Sequence, residues 1–250
     1  MGEEIQGDFQ RIIGFGPARI YAAGTYYGDG SNASLIAHFD GQSWTKTILP
    51  GWNLQAIGGS GPSDIWAGGI ENSLFHFDGG TWPKIDVDRR LWFLNFCATG
   101  GRTFAQAYKV DDEPHDSTWY YFLEWKGADW DTLNSALDIA GVPISSSYGI
   151  VGLDVVGNEL YSSGPQVYRL RNDHWEKLFD KGGPGVFGTL RSNLFVLSYP
   201  PAIHQFNGVD WFEFTQFASY PFTLVAGWTD GREAFIVGND HVRSVVLHGR

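Results

Sequence analysis

Cysteine, methionine and charge are all scarce in this 250-residue chain. The single cysteine, Cys97, excludes an intrachain disulfide, and its place in the apolar run LWFLNFCATG (91–100) reads as a buried, unreactive thiol suited to a reducing compartment. Charged residues make up only 18% of the chain, low for a helical protein. No apolar run approaches the roughly 18 residues that a membrane-spanning helix requires. The opening MGEEIQGDFQRIIGFG has neither a basic n-region nor an apolar h-region, and Gln6 stands where a myristoylation signal carries Ser or Thr. The expectation is a cytoplasmic protein, or an extracellular one if the chain is a domain of something longer. There is no phosphate loop, no dinucleotide fingerprint, no His-Glu-x-x-His and no cysteine cluster, so the usual nucleotide and zinc chemistries have no motif to rest on. Gly58-Gly59-Ser60-Gly61-Pro62 ends one residue wrong for a nucleophile elbow.

Glycine is abundant at 33 residues, aromatics reach 16%, and the net charge is −11 with a pI near 4.9. Glycine and aromatic richness suit many short strands joined by tight turns. The acidity repels nucleic acid and anionic membrane and favours a basic partner.

One phrase recurs. HFDGQSW (38–44) returns as HFDGGTW (76–82), and Gly-x-x-Trp recurs at 41–44, 79–82, 127–130 and 208–211. A fifth copy, 172–175, carries Asn for Gly, and Asn tolerates the same left-handed backbone. Each turn follows an apolar or aromatic residue, as a β-hairpin requires. Upstream of each turn lies a strand-like segment with an aromatic at a fixed place: Tyr21, Trp66, Phe104, Tyr161, Phe195 and Phe235. Further upstream lies an apolar segment with tiny residues, including Gly14, Gly58, Gly152, Gly188 and Gly227, which implies close backbone approach. Four strands over about 40 residues, six times, are the length and content of β-propeller blades. The expected fold is therefore all-β: a single β-propeller over 1–250 with six four-stranded blades, seven or five being the alternatives. The approximate repeats are 9–49, 50–87, 88–136, 137–179, 180–217 and 218–250. The last stops before its Trp turn, with Gly249 aligned on Gly41 and Gly79, and residues 2–7 are one source of the strand that would close it.

SGPSDIWAGGIENSLFHFDGGTW (60–82) resembles the repeats of bacterial β-propellers in which a Ser-Pro-x-Asp-[IV]-[WY]-Ala-x-Gly strand leads to His-[FY]-Asp-Gly-x-x-Trp, with Gly61 inserted before Pro62. Residues 17–44 match moderately and the remainder in outline. The likeness to the Asp-box of sialidase-like propellers, and to kelch-like ones, is more distant, since Asp78 to Trp82 is one residue short and His76 replaces Ser. Such repeats occur in proteins of many roles, so the resemblance implies architecture rather than activity. Asp40 and Asp78 are expected to cap their turns, and Trp44, Trp82, Trp130, Trp175 and Trp211 to fill gaps between blades. His38 and His76 occupy equivalent positions and are expected to share a packing role.

In a four-stranded blade, the second-to-third loop and the link to the next blade share one face. The insertions TYYGDGSNAS (25–34) and KVDDEPHDST (109–118) are both second-to-third loops. The face they define carries Tyr26, Tyr27, Trp52, Arg89, Arg90, Tyr199 and His241 beside Asp111, Asp112, Glu113 and His115. Aromatics and arginine on loops are the residue types of binding hot spots. Asp111, Asp112 and Asp116 are the candidate Ca²⁺ ligands, although EF-hand spacing is absent, and no other cofactor is implied. No catalytic constellation is visible. The reading is a monomeric, non-catalytic propeller that engages a basic protein partner through the insertion face, with a toxin-immunity inhibitor as one form of it. The alternatives are a glycan-binding lectin, against which the absence of a repeating Arg and Glu counts, and a hydrolase or lyase with a site at the channel mouth.

Overall fold

The computed structural model describes residues 5–28, 32–71, 73–87, 91–111, 117–139, 144, 146–217, 222–240 and 242–250. The chain falls into two compact units, Met1–Ser145 and Ser146–Arg250. In the first unit, one sheet contains β1 (Gly7–Gly14), β2 (Ile20–Tyr26), β3 (Ala33–Phe39) and β4 (Trp44–Leu49), in that order. The next contains β5 (Leu54–Gly61), β6 (Asp64–Gly69) and β7 (Leu74–Phe77). The third contains β8 (Trp92–Thr99), β9 (Arg102–Asp111), β10 (Ser117–Trp125) and β11 (Trp130–Ile139). The second unit holds β12 (Gly152–Val156), β13 (Glu159–Ser163), β14 (Val167–Arg171) and β15 (His174–Phe179), then β16 (Gly185–Leu190), β17 (Asn193–Ser198), β18 (Ala202–Phe206) and β19 (Trp211–Glu213). Its last sheet is β20 (Thr223–Thr229), β21 (Ala234–Asn239) and β22 (Ser244–Gly249). Every pairing is antiparallel between sequence neighbours, the up-and-down order of a propeller blade.

The sequence phrase marks the turn between third and fourth strands. Asp40 Oδ1 accepts the backbone N–H groups of Gln42 and Ser43 at 2.8 Å each, and Asp78 Oδ1 accepts those of Gly80 and Thr81 at 2.9 and 2.8 Å. These bonds hold both carboxyls below their ordinary pKa range. The following glycines, Gly41 and Gly79, sit at φ 97° and 95°, a backbone closed to most side chains. Asn207 makes the same turn in the fifth sheet, ahead of Gly208 at φ 98°, whereas the fourth sheet turns through two left-handed residues, Asn172 and Asp173, at φ 49° and 61°.

Three details depart from the simple repeat. The inserted Gly61 is absorbed by a bulge in β5 between Gly59 and Gly61. The fourth strand of the second sheet shrinks to one bridge, Phe75 to Lys84, flanked by Ile85 N–H to the Leu74 carbonyl at 2.9 Å. Pro83, which has no N–H to donate, interrupts it. In the sixth sheet Phe235 pairs with His248, as Tyr21 pairs with His38. Gly249 therefore corresponds to Phe39, two positions from the expected alignment on Gly41. Aligning Gly249 on Gly41 matches glycine to glycine, whereas the ladder sets His248 at the position of His38.

The fixed aromatic of each second strand has a repeated purpose. Tyr21 stacks on His38 and Trp66 on His76, both with ring centroids 4.3 Å apart, and Phe235 stacks on His248 at 4.4 Å. Two residues before the aromatic stands a polar partner for the facing third-strand residue. The pairs are Asp64–His76 (2.7 Å), Arg102–Glu124 (2.7 Å), Glu159–Arg169 (3.2 Å), Asn193–Gln205 (3.0 Å) and Glu233–His248 (3.4 Å). The residue types change from sheet to sheet, but each pair stays complementary. Arg19 and His38 in the first sheet are the exception, and His38 Nε2 is buried with no hydrogen-bond partner.

Apolar packing lies between consecutive sheets of a unit. Tyr21, Ile36, Leu54, Ile65 and Phe75 join the first two sheets, with Trp82 packed against them. Trp66, Leu74, Phe93, Phe96, Leu123 and Trp130 join the second and third. In the second unit Tyr161, Val186, Leu194, Val196 and Phe206 join one pair, with Trp211 against them. Phe187, Phe195, Leu197, Ile203, Leu224 and Ile236 join the other. Trp44 meets Phe39 at 5.3 Å, as Trp82 meets Phe77 and Trp211 meets Phe206, but it differs in remaining 39% exposed. First strands approach closely enough to need glycine at Gly58 and Gly227, but not at the expected Gly14, where an added Cβ would meet only Ile20, at 3.9 Å. A Cβ on Gly58 would stand 2.1 Å from the Phe96 carbonyl oxygen, and one on Gly227 2.2 Å from the Phe187 ring. Cys97 is buried.

Candidate binding surfaces

The expected insertion face has a defined shape in the first unit. β2 runs to Tyr26 and β3 begins at Ala33, so the loop between them is shorter than the inserted phrase. The link 50–53 is clamped against it: Ser34 N–H donates to the Gly51 carbonyl at 3.1 Å, and Thr25 Oγ1 bonds Asn53 Oδ1 at 2.9 Å. From the second sheet, Ser73 Oγ accepts the Trp52 N–H at 3.2 Å. Trp52 sits between two left-handed residues, Gly51 at φ 104° and Asn53 at φ 33°. The tight link so formed leaves the indole outside the fold. Tyr27 Oη donates to Asp8 Oδ2 at 3.1 Å, which raises the phenol pKa by stabilising its protonated form. Tyr26 lies in β2, with Lys46 Nζ 5.6 Å from its ring centre. In the second unit, Tyr199 lies on the corresponding loop between β17 and β18, and its N–H donates to the Gly182 carbonyl at 3.0 Å. Tyr27, Trp52 and Tyr199 are 51%, 56% and 55% exposed.

The remaining expected site residues fall elsewhere. Arg89, Arg90, Asp112, Glu113, His115, Asp116 and His241 lie outside the described residues, and Asp111 is described only as the last residue of β9. Among the described residues no three His, Cys, Asp or Glu side chains converge as metal ligands.

Two constellations unseen in the sequence combine a hydroxyl, an imidazole and a carboxylate. Ser60 Oγ hydrogen-bonds Asp64, whose other oxygen meets His76. The acid stands in the middle, so the hydroxyl donates to a carboxylate and has no base to activate it. Ser198 Oγ lies 3.1 Å from His204 Nε2, and Glu213 Oε2 lies 3.8 Å from Nδ1. That order is the one a nucleophile needs. Ser198 and His204 are both buried, however, and the hydroxyl also faces the Pro200 and Ala202 carbonyls at 3.4 and 3.5 Å. Burial lowers the His204 pKa, and Lys181 occupies Glu213 at 3.0 Å. This is a satisfied interior network, with no access for a substrate at the hydroxyl.

Two clefts open on the short-turn side. One in the first unit, of about 780 Å³, lies between the first and second sheets and is walled by Arg19, His38, Asp40, Thr47, Phe77 and Trp82. The other, of about 380 Å³, lies in the second unit between the fifth and sixth sheets, and its walls are mainly apolar: Phe195, Ile203, Phe214, Phe217, Ile236 and Leu247.

No family model and no curated protein matches the chain. Solved structures do. The chain is similar to the acylaminoacyl peptidase of Pyrococcus horikoshii, at 8% identity and a TM-score of 0.63, over 97% of this chain and 44% of the peptidase. It is also similar to the β-propeller domain of the Trilobed protease from Pyrococcus furiosus, at 7% identity and 0.61, over 98% and 82% of the two chains. A quinoprotein alcohol dehydrogenase-like protein from Bacteroides thetaiotaomicron follows at 14% identity and 0.55, over 94% and 64%. The chain thus spans less than two thirds of two of these three structures. At such identities the likeness is one of fold: this is an all-β chain with the six-bladed β-propeller fold. No helix among the described residues is long and apolar enough to cross a membrane.

Proposed function

We propose that the chain is a non-catalytic binding propeller that engages a basic protein partner through the loop face carrying Tyr27 and Trp52. The observation that carries this reading is the link at Trp52. Its backbone is fixed by neighbours on two sheets, yet it leaves a 56%-exposed indole in solvent. A rigid, preformed aromatic anchor loses little entropy on binding, which is why such residues dominate interfaces. The net charge of −11 supports a basic partner and fast, salt-dependent association. Asp111, Asp112 and Glu113 would steer that encounter. Inhibition of a basic toxin is one biological form the same chemistry takes.

The test is affinity capture from the native cell with the wild-type chain and with Trp52→Ala, followed by kinetics on the recovered protein. Trp52→Ala should leave the melting temperature unchanged and weaken binding by about 2 kcal/mol. Neutralising Asp111, Asp112 and Glu113 together should lower the association rate and flatten its salt dependence. An empty capture alongside clear glycan-array hits would replace this reading with the lectin one. Retention of full affinity by Trp52→Ala would move the interface off this face.

A further inference from the structure

We propose that the cleft between the first and second sheets binds a small organic carboxylate with an aromatic body, held by Arg19 and His38. The internal repeat shows which group the place lacks. In the second sheet His76 lies on Trp66 and meets Asp64 Oδ1 through Nε2 at 2.7 Å. In the sixth, His248 lies on Phe235 and meets Glu233 at 3.4 Å. His38 lies on Tyr21 in the same way, with ring centroids 4.3 Å and planes 14° apart, so the stack fixes its ring. The residue two positions before Tyr21, in the place of Asp64, is Arg19. His38 Nε2 is buried with no hydrogen-bond partner among the described residues, and Arg19 is exposed with no ion pair among them. A buried imidazole nitrogen needs a partner, and a carboxylate is the one that both sister histidines use.

The cleft opens at this place. Its volume of about 780 Å³ falls within the range of small-molecule sites. Arg19 and His38 stand on its wall with two hydroxyls of β4, Thr45 opposite His38 and Thr47 opposite Ile36. The corresponding rows in other sheets carry their own acid: Glu124 opposite Asp131 in the third, and Glu159 and Glu176 around Arg169 in the fourth. The cleft has one carboxylate on its wall, Asp40, and the N–H groups of Gln42 and Ser43 hold that one in its hairpin at 2.8 Å. From the second sheet comes Trp82, stacked on Phe77 at 5.0 Å, and Ile36 and Leu49 add buried apolar surface. A cationic spot on a chain of net charge −11 selects an anion, and the indole selects a flat apolar body.

In the bound state one carboxylate oxygen accepts the His38 Nε2–H, at the place where Asp64 Oδ1 meets His76. The other accepts from the Arg19 guanidinium, whose long exposed side chain turns with the ligand and uncovers the imidazole. The aromatic body lies along Trp82. This site lies on the short-turn side and does not rest on the Trp52 reading.

The experiment is a nuclear magnetic resonance titration of the 250-residue chain carrying isotope-labelled histidine, with phenylbutyrate as the probe. The His38 imidazole signal is assigned by its loss in His38→Gln. A saturable shift of that signal is expected. Phenylbutyramide keeps the body without the charge, and acetate keeps the charge without the body; each should bind at least about tenfold more weakly. Arg19→Asp installs the acid of the sister sheets, so it should abolish binding without lowering the melting temperature. Arg19→Gln should weaken binding about tenfold. Trp52→Ala should leave the titration unchanged, which separates this site from the loop face. The proposal is overturned by a titration without a saturable shift, by equal affinity for the acid and its amide, or by undiminished binding to Arg19→Asp. If Arg19→Asp fails to fold, wild-type affinity in Arg19→Gln overturns it. Tighter binding of the tripeptide Gly-Gly-Phe than of phenylbutyrate would also overturn it, by assigning the cleft to a protein C-terminus.

Discussion

His76 lies flat on Trp66 and meets Asp64 Oδ1 through Nε2 at 2.7 Å, so one imidazole closes an aromatic stack and a polar bridge across two strands. Glu233 and His248 repeat the arrangement, whereas the first sheet places Arg19 where the acid belongs. Arg19→Asp should supply the missing partner for His38. The expected gain is small, about 1–2 °C in melting temperature at pH 6, because the position is exposed. The same change in a His38→Gln background should give less, and an equal gain in both backgrounds would mean that the bridge contributes nothing.

Gly58 and Gly61 occupy one strand and should answer alanine in opposite ways. At Gly58 a Cβ meets the Phe96 carbonyl oxygen at 2.1 Å, and backbone cannot step aside as a side chain can. Gly58→Ala should cost several kcal/mol, on the scale of severe overpacking. Gly61 has nothing within 4 Å and no left-handed φ, so Gly61→Ala should be neutral or stabilise by about 0.5 kcal/mol through the unfolded state. Urea titrations of the two variants against wild type decide both.

Glu124 is buried and held by Arg102, with Lys126 Nζ at 2.7 Å, and its pKa drops to about 2. The folded-state pKa lies below the unfolded one, so the stabilisation is complete above about pH 4.5 and is lost as pH falls toward 2. Up to roughly 3 kcal/mol rides on this group. Glu124→Gln should lower stability at pH 7 and remove that part of the acid dependence, measured as urea midpoints between pH 2 and pH 7.

Calcium should leave the melting temperature unmoved. The acidic segment around Asp111, Asp112 and Asp116 lacks a regular ligand spacing, and its expected role is to set charge at the partner face. A rise in melting temperature with millimolar Ca²⁺ that disappears in Asp112→Ala would establish a metal site instead.

What the sequence revealed was what repeats. The first-strand glycines, the second-strand aromatics and the Trp hairpins recur in the same order along the chain at uneven spacing, and the six sheets follow that order. The bridging pairs leave no mark in the sequence because what the sheets share is complementarity rather than residue type: Asp–His, Arg–Glu, Glu–Arg and Asn–Gln have no letter pattern in common. Residue type and loop position mark Trp52 in the sequence, but its exposure depends on φ values at Gly51 and Asn53 that a sequence does not display.

Among the described residues each sheet is built from strands adjacent along the chain. No β-ladder among the described residues waits for a segment from far away, so ordering can begin in any sheet and spread to its neighbour, as in a linear array. Cooperativity then rests on the aromatic seams between sheets, and thinning one seam should divide the melt. Trp130→Ala is expected to give a calorimetric enthalpy larger than the van 't Hoff value, the mark of a chain that loosens in sections.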